Sequence, residues 1–230
     1  MNIYCVLCTR STDKMTKTTK KLLEFLASCD IETTIMANAK SIFTAYNKAF
    51  THINPEDEDI VIFCHDDIEI RDTPEDFKKA LRNTLKDPQV GFVGPAGTTY
   101  LSKNAVWWDQ DIWKMGLHRG LVKHLNAEGK EYDTYYGEPD AVVVLDGLFL
   151  AARGRTIRNV GLAKPEYFEG EWDFYDIHYT TSAHLKGYTN RAIKLNIVHN
   201  SSGELVGRDS WHKNREAYIK NTDLPLSLNK

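Results

Sequence analysis

Apolar positions in the first half of the chain alternate between two rhythms. Residues 2–8 form a nearly unbroken apolar run that ends in the polar Thr9-Arg10-Ser11, and residues 14–28 then place Met15, Leu22, Leu23, Phe25 and Leu26 at helical spacings. The alternation repeats. Residues 32–37 are a short β-rich stretch, 41–50 a helical pattern, and 59–64 (Asp59-Ile-Val-Ile-Phe-Cys64) a continuous apolar run of the kind that is buried on both faces. Thr73-Pro74-Glu75 opens another helix, to about Leu85, with Thr73 as N-cap and proline at the first position. Residues 90–93 give a fourth strand. Strands alternating with helices predict an α/β fold around a parallel, right-handed sheet.

The second half loses this regularity. Residues 98–138 carry Trp107, Trp108, Trp113, Tyr132, Tyr135 and Tyr136 without a clean period, as an insertion or a mixed β region would. Residues 141–152 read as a strand, a tight turn at Asp146-Gly147 and a second apolar run. Residues 174–186 are predicted helical, 190–198 a strand and 209–220 a last helix.

Composition narrows the class. The 230 residues are 42% hydrophobic and 27% charged, enough to bury a real core, and no linker, repeat or low-complexity tract divides them, so one domain is expected. The longest apolar runs fall far short of the ~20 residues of a membrane helix, so no membrane span is expected. The N-terminus shows no basic region and no cleavage site, which makes the cytoplasm the expected location. A net charge of −3 gives no general attraction to phosphate backbones, although a local basic patch could still exist, so nucleic acid is unsupported as a partner without being excluded. Of the four cysteines, Cys5 and Cys8 form a CxxC, yet residues three apart on a strand point to opposite faces and no second CxxC completes a zinc site. Core thiols are expected for Cys5, Cys8, Cys29 and Cys64.

Candidate chemistry concentrates where the 59–64 run passes into His65-Asp66-Asp67. Ligand sites in open α/β sheets lie beyond the carboxyl ends of strands, and carboxylates there can hold Mg²⁺ or Mn²⁺ against a diphosphate; a solvated turn would look the same. Three later segments share this polarity. They are Val144-Leu-Asp146-Gly147-Leu148, the acidic Phe168-Glu169-Gly-Glu171-Trp172-Asp173-Phe174-Tyr175-Asp176-Ile177-His178, and Ile197-Val198-His199-Asn200-Ser201-Ser202-Gly203.

Over nearly its whole length this order resembles the GT-A fold of glycosyltransferases, and within it the inverting family 2 type. The resemblance implies one GT-A type domain: a Rossmann-like mixed, mostly parallel sheet flanked by helices, with residues 1–97 as the nucleotide-sugar half and 98–230 as the acceptor and catalytic half. Thr9, Arg10 and Ser11, with Asn47 and Asp66, would contact the donor. His65-Asp66-Asp67 matches the Asp-x-Asp metal motif with His in the first place, so Asp67, Asp66 and His65 are implied metal ligands and His199 matches the family's late histidine ligand. Asp176 takes the general-base position, with Tyr175 replacing the acidic residue before it and His178 the one after; Glu169, Glu171 and Asp173 are the fallback bases. Asp146, Gly147, Trp108, Trp172 and Glu171 are the implied acceptor residues, Gly147 because a turn without a Cβ lets backbone approach the sugar. Trp107 and Trp113 could join them in stacking on sugar faces or serve as core. The tail Ser210-Trp211-His212-Lys213-Asn214-Arg215 resembles the aromatic-basic tail of relatives.

The activity so implied is that of a hexosyl- or pentosyltransferase. It uses Mn²⁺ or Mg²⁺ and moves a sugar with inversion from a nucleotide-diphosphate sugar, a UDP-sugar foremost, to a hydroxyl-bearing acceptor. A non-catalytic module of the same fold that holds a nucleotide sugar or glycan is the alternative. A nucleotidyltransferase would need an early glycine-rich phosphate loop, and residues 8–13 contain no glycine.

Overall fold

The computed structural model describes residues 1–9, 12–13, 15–126, 128–200 and 208–228. Its first half runs β1 (Ile3–Thr9), α1 (Lys17–Ser28), β2 (Glu32–Ala37), α2 (Ile42–Ile53), β3 (Ile60–Cys64), β4 (Ile68–Ile70), α3 (Pro74–Leu85) and β5 (Val90–Gly94). The second half adds β6 (Ala96–Thr98), β7 (Tyr100–Leu101), α4 (Gln110–Lys114), β8 (His118–Leu125), β9 (Glu131–Gly137), β10 (Ala141–Val142), β11 (Val144–Leu145) and β12 (Phe149–Arg153). It ends with α5 (Gly154–Val160), α6 (Tyr175–Leu185), β13 (Thr189–Ala192), β14 (Ile197–His199), α7 (Asp209–Asn221) and β15 (Leu226–Ser227).

Local chemistry accounts for the early helices. Thr16, Ser41 and Thr73 cap α1, α2 and α3, each side-chain oxygen accepting from the backbone N–H three residues on. The apolar face of α3, Phe77, Leu81 and Leu85, is fully buried, worth about 1.5–3 kcal/mol for each such side chain. The strands β3, β5 and β12 are buried at every position, which is why they read as continuous apolar runs rather than alternating ones.

The main sheet has seven strands in the order β10-β13-β5-β12-β3-β1-β2. It is parallel through β2-β1-β3 and again at β5–β13, but β12 runs antiparallel to both of its neighbours. The parallel sheet expected from the βα alternation is thus interrupted by one strand that the second half supplies. A second, six-stranded sheet has the order β11-β6-β8-β14-β4, with β9 also paired to β8. Residues 98–138 are therefore a mixed β region.

Two expectations for the second half need correction. The first strand expected within residues 141–152 is two, since β10 pairs β13 in the main sheet and β11 pairs β6 in the second, while β12, after the turn, returns to the main sheet between β3 and β5. The 190–198 run is likewise two strands, one in each sheet. The chain crosses between them with Ile193 N–H donating to Gly94 O at 2.8 Å and Asn196 N–H to Asp72 Oδ2 at 2.8 Å. One buried side chain ties these pieces together: Asn190 donates to Val143 O and Thr180 O and accepts from Phe92 N–H, linking α6 to β5 and the β10–β11 step. No helix among the described residues is long and apolar enough to cross a membrane.

Candidate active site

The carboxyl ends of β1 and β3 open onto a cleft of about 1450 Å³ whose opposite wall is the second sheet. Strand register sets its floor. β4 continues directly from His65-Asp66-Asp67 and pairs with β14 so that Ile68 faces His199, while β14 pairs with β8 so that His199 faces His124, which in turn faces Tyr132 on β9. A row of polar and aromatic groups therefore runs across four strands, starting next to Asp67.

Within this row His65, Asp67 and His199 form the described cluster that could hold a metal ion, their ligand atoms all within 4.8 Å of one another. His65 Nδ1 lies 3.8 Å and His199 Nε2 3.4 Å from Asp67 Oδ1. Asp67 Oδ1 and His199 Nε2 are shielded from solvent and face each other as an ion pair that makes no well-formed hydrogen bond. Two imidazole nitrogens and a carboxylate oxygen this close together are a donor set that fits a divalent transition-metal ion. Burial opposes both charges, but the attraction between them outweighs it: His199 is raised above the usual imidazole range and Asp67 held below the usual carboxylate range. Asp66 lines the cleft beside this cluster without joining it.

Asp176 sits across the floor in the first turn of α6, where its Oδ2 accepts Gly147 N–H at 3.2 Å. Burial, and then the charge of Asp146, push its carboxyl up to about 7. Asp146 caps its own turn through Leu148 N–H at 3.1 Å. Gly147 is required for packing: a Cβ there would collide with the Tyr175 hydroxyl and with Asp176 Cβ. Asp146 and Gly147 both line the cleft, and only the direction that a Cβ would take at Gly147 is filled by the protein's own Tyr175.

The other expected residues are distributed as follows. Thr9, Trp108 and Trp172 line the cleft, Trp172 anchored by its indole N–H to Lys40 O at 3.1 Å. Asn47 lies on the exposed side of α2, and Ile42 and Tyr46 present that helix to the cleft instead. Glu171 stands outside the lining in an ion pair with Lys164 at 2.5 Å. Of the fallback bases, Asp173 lines the cleft and accepts the Ser210 hydroxyl at 2.7 Å, whereas Glu169 pairs with Lys213 at the surface. His178 packs against Phe168 away from the cluster, and burial drops its imidazole to about 4. Trp107 is buried core and Trp113 packs on Tyr136 outside the cleft. Arg10, Ser11 and the Ser201-Ser202-Gly203 segment lie outside the described residues.

The thiols divide between core and cleft. Cys5, Cys29 and Cys64 are buried and free, with Cys5 and Cys64 sulfurs 3.7 Å apart. Cys64 also borders the cleft, and half-buried Cys8 packs against the core while lining the cleft wall, where burial and then the charge of Asp66 push its thiol up to about 12.

Sequence reasoning missed His124, Tyr132, Tyr46 and Arg208, all of which line the cleft. His124 and Tyr132 stack with ring centroids 5.4 Å apart. A usable signal for them was the repeated His/Tyr content of the aperiodic segment, which only strand register turns into a wall. Trp211, from the aromatic-basic tail, also lines the cleft and packs against Trp108 at 5.7 Å.

Comparison with known proteins agrees with this architecture. The family described as "Glycosyltransferase like family" matches residues 4–220. The streptomycin biosynthesis protein StrF of Streptomyces griseus is 28% identical over 139 residues, which is 59% of this chain and 45% of the relative. The chain thus spans about half the length of the curated relative it matches. Among solved structures, GalNAc-T7 with UDP, GalNAc and Mn²⁺ superposes with a TM-score of 0.57 at 9% identity, covering 96% of this chain and 48% of that one. S. aureus TarS 1–349 gives 0.51 at 14% identity, covering 87% and 60%. At these identities the two structures show a shared GT-A fold.

Proposed function

The chain belongs to the glycosyltransferase-like family, and from that premise we propose that it transfers a sugar from a nucleotide-diphosphate sugar to an acceptor hydroxyl with inversion at the anomeric carbon. The observation that carries the reading is the division of the cleft floor: an unsatisfied nitrogen-carboxylate donor set on one side, and a carboxyl poised at about 7 on the other. The structurally similar GalNAc-T7 is described with UDP and Mn²⁺, which makes a UDP-sugar and Mn²⁺ the first donor and cation to try.

In this mechanism Thr9, at the end of β1, flanks the donor, and Asp67, His199 and His65 would hold the divalent cation. A cation bound there supplies positive charge against the diphosphate leaving group. Asp176 acts on the opposite side of the sugar. As the acceptor oxygen attacks the anomeric carbon, its proton passes to the Asp176 carboxylate, and the bond to the diphosphate breaks with its electron pair leaving on the diphosphate oxygen. Burial beside Asp146 matches this base to neutral pH, the condition under which proton acceptance is most effective. No covalent sugar-enzyme intermediate is needed. Half-buried Trp108 and Trp211 and exposed Tyr132 offer aromatic faces on the acceptor side.

The test is thermal stability with UDP and a panel of nucleotide sugars, with Mn²⁺ or with chelator, on the wild type and Asp67→Ala. A ligand at a hundred times its dissociation constant stabilises by about 2.7 kcal/mol. The expected result is a Mn²⁺-dependent shift lost in Asp67→Ala, with donor consumed in the presence of acceptor. A shift without turnover on any acceptor or water would favour a binding module, and no shift with any nucleotide would overturn the donor site.

A further inference from the structure

The residues before the base and at the head of the metal motif are bonded to each other. Tyr175 occupies the first position of α6, its ring buried and held edge-on by Tyr46 at 5.8 Å and by Tyr179 at 6.1 Å. Its hydroxyl lies 2.9 Å from Gly147 O and 2.8 Å from His65 Nε2. A phenol carries one hydrogen, and a carbonyl oxygen can only accept. Both contacts are satisfied together in one way only: Tyr175 donates to Gly147 O and accepts from His65, whose proton must then sit on Nε2. A neutral imidazole has one N–H, so Nδ1 is left as a lone pair. Nδ1 is the ring nitrogen that faces Asp67 Oδ1 across 3.8 Å.

We propose that Tyr175 is a positioning residue that locks His65 in the Nε2–H tautomer, so that Nδ1 is presented as the third donor beside Asp67 and His199. For its cation the inference rests on the transferase reading above. The lock also explains the glycine at 147: the space its Cβ would need is where the Tyr175 hydroxyl stands to reach the Gly147 carbonyl. Two residues that each look like a loss when taken singly, a histidine for the leading aspartate and a tyrosine for an acidic neighbour of the base, thus form one working unit. The carboxylate that would have offered oxygen in any orientation is replaced by a ring that needs a partner to fix which nitrogen it offers.

The decisive measurement is ¹⁵N NMR of the His65 ring in the metal-free full chain at about pH 8, followed by Mn²⁺ titration of the wild type, Tyr175→Phe, and both again in a His65→Asp background. Phenylalanine keeps the ring and removes the hydroxyl. The wild type should show a protonated Nε2 and an unprotonated Nδ1. Tyr175→Phe should mix the tautomers and weaken Mn²⁺ binding by about 10–100-fold, the range for partners that orient a metal ligand. With aspartate at position 65 the same Tyr175 substitution should change Mn²⁺ affinity by less than about threefold, which a general packing defect would not spare. A wild-type ring protonated on Nδ1 overturns the proposal, whether or not the variants fold. So does an unchanged Mn²⁺ affinity in Tyr175→Phe, or an equal loss in both backgrounds. The ring measurement requires neither donor nor turnover, so a correct tautomer in a protein that transfers no sugar would refute the transferase reading and leave the lock standing.

Discussion

Asp67 and Asp176 lie on one cleft floor, and their surroundings pull their chemistry apart. Asp67 is flanked by His65 and His199, and the imidazole beside it holds the carboxylate ionised below its usual range. Asp176 is flanked by Asp146, and burial together with that like charge holds the proton on to about 7. The side chain is the same in both places. A neighbour of opposite sign makes one a fixed anion suited to a cation, while a neighbour of like sign makes the other an exchanger of protons near neutrality. Backbone reinforces the difference, since β4–β14 pairing sets Asp67 beside the imidazole and the first turn of α6 delivers Asp176 to Gly147 N–H.

The contrast breaks most visibly if the proposed proton acceptor is removed. Asp176→Asn should slow transfer by about a thousandfold, within the range for a general base, while Mn²⁺-dependent nucleotide binding stays within about twofold; single-turnover donor consumption beside a thermal-shift titration reads both. Asp67→Asn should do the reverse in kind, weakening Mn²⁺ by about a hundredfold, or about 2.7 kcal/mol, measured by calorimetric titration. Activity of the wild type should rise about tenfold per pH unit up to a midpoint near 7 and then level off, because the proposed base acts in its ionised form. Asp146→Asn should carry that midpoint to lower pH by deleting the like charge, which a pH–rate profile of kcat will show.

The smallest effect sharpens the comparison furthest, because stability should respond to pH with opposite signs at the two sites. Asp176 is raised on folding, so between about 4 and 7 the folded state holds the extra proton and stability falls as pH rises. Asp67 is lowered on folding, so its contribution is present above the unfolded carboxylate range and fades as pH drops below it. Urea denaturation at about pH 8 should therefore find Asp176→Asn more stable than wild type by about 1–2 kcal/mol, after screening at its partly exposed rim. The same measurement should find no such gain in Asp67→Asn.

The first half of the fold was legible because its information is local. Thr73-Pro74 announces α3, and the unbroken run at 60–64 announces a strand buried on both faces. The second half was not, because β10 and β11 are two residues each and belong to different sheets, and no period can be read from so short a piece. His65 and Asp67 were marked by their position after a strand, and His199 and Asp176 by their resemblance to the family's late histidine and general base. What no linear pattern carries is the bond between His65 and Tyr175, which lie 110 positions apart. Nor does it carry the row from His199 to His124 to Tyr132, which exists only through strand register. Asn47 went astray because adjacent positions on a helix point in different directions, and it is Tyr46 that turns inward.

The antiparallel strand β12 has a consequence for how this site can vary. Phe149 pairs with Cys64, and His65 N–H donates to Leu148 O at 3.0 Å, so the segment bearing Asp146 and Gly147 and the segment bearing His65 to Asp67 are stitched to each other at their bases. Their separation is therefore counted in whole ladder steps rather than adjusted smoothly, since a slip of one residue would turn every side chain of β12 to the opposite face. Side chains at either end of this ladder can be exchanged by substitution, but the ruler between them has only integer marks.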